Sequence, residues 1–136
     1  MVLDGWQIAV AADGELRLWE GAPHVADRHE NNLWCRREPH GPWELDVIVG
    51  GGDGDEWIYR RDPGIRLPWE LAVLRTPAGV PYLAPEVQLL FKAKGRRPKD
   101  HVDAREVIPS LGTARLDRLA AWLDPDHPWQ ELLTAR

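Results

Sequence analysis

Two acidic residues of one strand are the first place to look for chemistry. Glu44 and Asp46 stand two apart in Trp43-Glu-Leu-Asp-Val-Ile-Val49, the clearest alternating run of the chain. Both side chains therefore leave one face of a strand, together with Ile48. Two carboxylates so placed can hold a divalent cation, as phosphoryl-transfer sites do, with Asp46 the candidate ligand. In an apolar, aromatic setting either could instead act as general base, because such surroundings raise a carboxylate toward neutrality. The same alternation is what any half-buried strand shows, with the Glu44 face wet and Trp43, Leu45, Val47 and Val49 turned to a core.

The second candidate is cationic. Lys92-Ala-Lys-Gly-Arg-Arg-Pro-Lys99 carries five basic residues and no acid. Lys92, Lys94 and Lys99 could take phosphates at a helix junction. The competing reading is a solvated helix end whose cations complement the C-terminal dipole. Gly50-Gly-Gly-Asp-Gly-Asp-Glu56 imitates a phosphate or calcium loop. It lacks the Gly-Lys-Ser/Thr ending of the former and the ligand spacing of the latter, and reads as a hairpin turn. His24, Asp27 and His29 share one loop and could gather a metal, although loop histidines are usually solvated. Cys35 beside Trp34 reads as a buried, inert thiol. Ser110 is the only serine, and no Gly-x-Ser-x-Gly is present, which removes serine-hydrolase chemistry.

Composition narrows the classes further. The chain has 136 residues and a formal charge of −5, with 43% hydrophobic residues. One domain is expected, with no nucleic-acid or anionic-membrane partner. No apolar run approaches the ~20 residues of a membrane helix, and no signal peptide is legible, so a cytoplasmic location is expected. A lone cysteine excludes an internal disulfide and a multi-cysteine zinc site. The unusual entry is aromatic: eight Trp against one Phe and two Tyr. Six of those Trp precede residue 70, which points to an aromatic core or a Trp-lined cleft, with Trp43 and Trp57 as candidate ligand contacts.

The elements that would position these groups change character near residue 85. Residues 1–84 carry 8 basic and 14 acidic side chains, and residues 85–136 carry 9 and 8. The first part reads as strands. Trp6–Ala12 and Glu15–Trp19 alternate around Asp13-Gly14, a hairpin signal because both turn positions favour positive φ. Residues 20–30 are a polar loop. Asn31–Arg37 is a strand, and Trp43–Val49 with Glu56–Arg61 reads as a second hairpin across residues 50–55. Trp69–Arg75 and Val80–Leu83 are weaker strands. The second part reads as helices. Pro85 opens one that Gly95 closes. Another runs from near Asp100 to Ile108. A third has Thr113 as cap and an apolar stripe of Leu116, Leu119, Ala120 and Leu123. Pro128 opens a last short one. The class is α+β: a twisted, mainly antiparallel sheet over residues 6–84 followed by three to four helices over 85–136.

Three stretches from Pro81 onward resemble a known family. Pro81-Tyr-Leu-Ala-Pro-Glu-Val-Gln-Leu-Leu-Phe-Lys-Ala-Lys94, then Arg97-Pro-Lys-Asp100 and His127-Pro-Trp129, look like the C-terminal half of bacterial nucleotidyltransferase-like proteins. These are grouped with aminoglycoside adenylyltransferases and are similar to lincosamide nucleotidyltransferases. Glu44–Val49, Asp55–Pro63 and Gly5-Trp6 also fit, so the likeness covers nearly the whole chain. The resemblance implies a nucleoside triphosphate and Mg²⁺ as cofactors and transfer to a small-molecule hydroxyl. It makes Asp46 the third metal carboxylate and sets the Lys-rich segment near the nucleotide phosphates. The family's Gly-Ser turn and Asp-x-Asp pair have no counterpart here. Asp53-Gly-Asp55 copies the letters but follows the third carboxylate. Nucleotidyl transfer rests on positioning and charge neutralisation by metal, and one carboxylate of three holds no metal pair tightly.

The expectation is thus a truncated nucleotidyltransferase-fold protein. It binds a small molecule in a Trp-lined cleft and is not competent alone for transfer. A second reading is an enzyme, either a split transferase completed by another chain or a remnant recruited to acid/base chemistry through Glu44 and Asp46. A third is a protein-interaction or antitoxin-like module. Loss of half a sheet would expose a strand edge, so a homodimer or a partner chain is expected.

Overall fold

Alternating apolar residues pair four strands into one antiparallel sheet. The computed structural model describes residues 5–12, 14–19 and 32–135. The strands are β1 (Gln7–Ala12), β2 (Glu15–Leu18), β3 (Asn32–Arg36) and β4 (Leu45–Ile48), in the order β2-β1-β3-β4. The β1–β2 register, Ala12↔Glu15, leaves a two-residue connection, and its Gly14 has φ +80°. That conformation costs glycine little. The expected loop over residues 20–30, with its His24, Asp27 and His29, lies outside the described residues, as do Asp13 and Asn31.

Directly opposed residues share a face, so the register sorts the sheet. Ile8↔Cys35↔Leu45 and Val10↔Leu33↔Val47 make one face. Ile8, Val10, Leu33 and Cys35 are buried there, with Trp6, Trp19, Val47 and Val49 packed against them. Ala9↔Trp34↔Asp46 and Ala11↔Asn32↔Ile48 make the other.

The chain divides into two compact units, residues 1–54 with 58–64 and residues 55–57 with 65–136. The division lies around residues 54–65, and the change from strands to helices comes at Pro85. The pairing of Trp43–Val49 with Glu56–Arg61 is corrected. β4 joins β3 instead, and the following turn contains a short strand of its own, β5 (Gly51–Asp53). β5, β6 (Glu56–Ile58) and β7 (Arg66–Pro68) take the order β5-β6-β7. The run 69–75 begins as a helical turn, α1 (Trp69–Ala72), before β8 (Val73–Arg75) pairs antiparallel with β9 (Pro81–Leu83).

The helices of the second unit are α2 (Pro85–Ala93), α3 (Pro98–Val107), α4 (Thr113–Trp122) and α5 (Gln130–Thr134), with a 3₁₀ turn at Ile108–Ser110. Helix α2 packs on α3 and α4. Val87, Leu89, Leu90, Ala104, Ile108, Leu119, Trp129 and Leu133 are buried. Pro98 starts α3 two residues before the expected Asp100. Gly112, not Thr113, is the N-cap of α4. The left-handed residue after α2 is Arg96, at φ +46°, and not Gly95. The class is mixed α+β with antiparallel sheets. Among the described residues no helix is long and apolar enough to cross a membrane.

Candidate functional site

The first unit carries a cleft of about 290 Å³ lined by Ala11, Gly14, Glu15, Leu16, Trp34 and Trp43. Its floor follows from the register. Ala11 opposes Leu16, and Trp34 stands beside Ala9, whose small side chain leaves room for the indole. The wall is Trp43, which precedes β4 and escapes its alternation. Trp43 was expected to face away from Glu44 and Asp46. Instead its ring lies over Trp34 and Arg36, on the Asp46 side of the sheet. The two indoles meet edge to face, centroids 6.5 Å apart at 72°. The Arg36 guanidinium carbon sits 4.4 Å from the Trp43 centroid. Arg36 is itself fixed, donating to Gln7 Oε1 at 2.7 Å and to the Gly41 carbonyl at 3.2 Å. A turn closed by Gly41 N–H donating to the Glu38 carbonyl brings the chain back to this point. Both indoles are half-buried, so each keeps surface open to the cleft.

The two carboxylates of β4 have other partners. Asp46 accepts from Asn32 Nδ2 at 3.1 and 3.4 Å. Glu44 accepts from the Arg37 backbone N–H at 3.1 Å and pairs with the Arg37 guanidinium at 3.6 Å. Both are exposed, and neither lines the cleft. Among the described residues no three of His, Cys, Asp and Glu gather to hold a metal. Cys35 is fully buried on the opposite face. Burial pushes its thiol up, and the Asp46 charge adds to that.

The remaining candidates belong to the second unit. Trp57 is 3% exposed and packs edge to face on Phe91, centroids 6.1 Å apart. It stands in a core rather than in the cleft. Lys92 binds Asp103 and lies 3.9 Å from Asp100. Lys94 and Lys99 are exposed. Asp100 is fully buried at the start of α3. It accepts from Arg97 Nε at 2.8 Å, Arg97 Nη2 at 3.1 Å and the Arg97 backbone N–H at 3.2 Å. An anion already occupies the helix start that the basic run would offer a phosphate. The side-chain hydrogen bond from Arg97 holds the Asp100 carboxyl below the usual carboxylate range.

Glu86, His127 and Trp129 join helices within this unit. Glu86 is fully buried on α2 and accepts from Arg118 of α4 at 2.7 Å, with Arg115 at 3.6 Å. The Trp129 backbone N–H donates to His127 Nδ1 at 3.2 Å. That leaves the proton on Nε2, which donates to the Ala93 carbonyl at 3.2 Å and closes the end of α2. The Trp129 indole N–H donates to His101 Nδ1 of α3 at 2.8 Å.

Sequence reasoning did not single out Trp34, Leu16 or Glu15. A signal existed for Trp34. It alternates with Asn32 and Arg36, on the polar side of a strand whose other side is Leu33 and Cys35. A large ring on a polar face marks a surface built for contact. No protein-family model, curated protein or solved structure matches this chain.

Proposed function

We propose that this chain is a small-molecule binding protein of nucleotidyltransferase-like build. Its ligand site is the cleft that Trp34 and Trp43 line beside the β1–β2 turn, and it does not transfer nucleotides by itself. The paired indoles over a sheet face carry this reading. Each offers a rigid, amphipathic contact surface at low cost in side-chain entropy, and Ala11, Gly14, Glu15 and Leu16 complete the lining. The volume is at the small end of ligand pockets, which suits one or two fused rings.

Three further contacts support the second half of the proposal. Asp46 is turned to Asn32, Glu44 to Arg37, and Lys92 to Asp103. Three of the residues a transferase would aim at metal and phosphate are thus spent within the chain, while Lys94 and Lys99 stay exposed. Glu86, His127 and Trp129, from the stretches that resemble the family, lock helices together and are not turned to a ligand.

Calorimetric titration with Mg²⁺-ATP and Mg²⁺-GTP tests the second half. No saturable binding at millimolar nucleotide is expected. Saturable binding weakened by Asp46→Ala and by Lys99→Ala would restore the transferase reading. A partner-binding role has one observation in its favour: Leu16 and Leu18 of β2 and Leu45 and Ile48 of β4 are exposed on the two edge strands. Sedimentation across a range of concentrations decides it, since a mass that stays monomeric speaks against self-pairing.

A further inference from the structure

We infer that two copies of this chain pair through β2, edge to edge and antiparallel, with Leu16 on the two-fold axis and each Glu15 set against Arg17 of the partner subunit. This rests on the partner-binding reading of the exposed edges and adds the partner, the edge and the register. Three observations carry it. First, β2 is an edge strand among the described residues, and all four of its residues are exposed, Leu16 at 45% and Leu18 at 55%. Such an edge is a template for another strand. The direction of its backbone groups follows from its pairing with β1. The Trp19 N–H donates to the Ile8 carbonyl at 2.9 Å, so residue 19 points its groups at β1. Alternation turns those of Arg17 and Glu15 the same way, and those of Leu16 and Leu18 outward. A second β2 can therefore exchange both N–H to carbonyl bonds where Leu16 faces Leu16 of the partner subunit.

Second, the pairs Val10↔Arg17 and Ala12↔Glu15 set both charged side chains on one face of β2. With the axis at Leu16, Glu15 meets the partner's Arg17 at a non-hydrogen-bonded position, where side chains come closest. Slipping the partner by two residues sets like against like, Glu15 on the partner's Glu15 or Arg17 on the partner's Arg17. Slipping it by one sets outward backbone groups against residues whose groups point at β1. Hydrogen bonding and charge together select one register. Third, the other edge is unsuited to self-pairing. β4 carries Asp46 and follows Glu44, with no base over residues 43–49. Two such strands brought together gather carboxylates. The β2 register also bears on the cleft. It brings Leu18 of the partner subunit opposite Gly14, a lining residue with no atom beyond its sequence neighbours within 4 Å of where a Cβ would stand. The second copy adds an apolar wall at that end.

Sedimentation velocity of the whole chain, from micromolar to millimolar concentration at low salt, tests the pairing. A reversible, two-fold dimer is expected. Glu15→Arg alone and Arg17→Glu alone should each weaken it about tenfold, because each turns two attractive pairs into two repulsive ones. An equimolar mixture of the two variants should recover it, since the mixed dimer again sets acid against base on both sides of the axis. Circular dichroism like that of the wild type should accompany both variants, whose changes lie on exposed side chains. A chain that stays monomeric at millimolar concentration overturns the self-pairing reading itself. A dimer indifferent to both reversals, or a mixture that fails to recover, overturns the β2 register while self-pairing stands.

Discussion

Replacing Arg118 by alanine should destabilise the helical unit by about 2–3 kcal/mol. The figure follows from what the change leaves behind. Glu86 is fully buried, and its Oε1 takes its hydrogen bond from Arg118 at 2.7 Å. Its Oε2 is 3.6 Å from Arg115 and has no hydrogen-bond partner. Removing one partner of a buried ion pair costs roughly 3–5 kcal/mol, because an uncompensated charge remains. Two features pull the value to the low end. Arg115 still faces the carboxylate, and Arg118 is 25% exposed, so water can reach part of the gap. The double change Glu86→Leu with Arg118→Met removes both charges and should be close to neutral, or stabilising. Urea unfolding followed by far-ultraviolet circular dichroism reads the effect, since the helices dominate that signal. A loss below about 0.5 kcal/mol in Arg118→Ala would refute the reasoning. So would a double variant less stable than the single one.

Three other expectations can be checked in the same way. The Asp100 carboxyl is held low by Arg97, so its native value lies beneath the unfolded one near 3.9. Its contribution is complete above that value and is lost as pH falls through the native one, so the urea midpoints of wild type and Asp100→Asn should converge in acid. A gap that stays constant from neutrality down to about pH 2 contradicts the assignment. Arg96→Gly should raise stability by about 0.5–1 kcal/mol, because a non-glycine residue at φ +46° carries strain that glycine lacks. A thermal midpoint that stays put or drops speaks against it. Cys35 is buried and its thiol is pushed up, so an aromatic disulfide reagent should label it only after unfolding. Rapid labelling of the native chain would show an open route to the sulfur.

How much was legible depended on whether the deciding interaction was local. Asp13-Gly14 between two alternating runs announces the β1–β2 hairpin, because its turn chemistry lies within the signal. Leu119 and Leu123 mark the buried stripe of α4 by spacing alone. Partner choice is not local. β4 pairs with β3 on one side, and nothing in residues 43–61 distinguishes that from the simpler hairpin. Trp43 shows a related limit. Alternation governs side chains only inside a strand, and β4 begins two residues later, so the ring was free to lie back on Trp34. The basic run hid its role because Arg97 and Lys92 are neutralised by Asp100 and Asp103. A carboxylate three residues further on looks like helix surface in sequence, yet Asp100 is buried and closes the start of α3. His127 and Trp129 were legible as a motif, but their task of joining the ends of α2 and α3 appears only when those helices are side by side.

The measurement that reaches the central claim most directly is a titration of the isotopically labelled chain with isoquinoline, a neutral fused ring pair, read at the indole N–H resonances. Binding in the cleft should shift Trp34 and Trp43 together and saturate with a Kd on the order of 0.1–1 mM, as befits a ligand of one fused ring pair. Trp57 and Trp129, buried in the second unit, should stay in place. Shifts confined to those two, or none at any of the indoles at millimolar ligand, would contradict a binding site lined by Trp34 and Trp43.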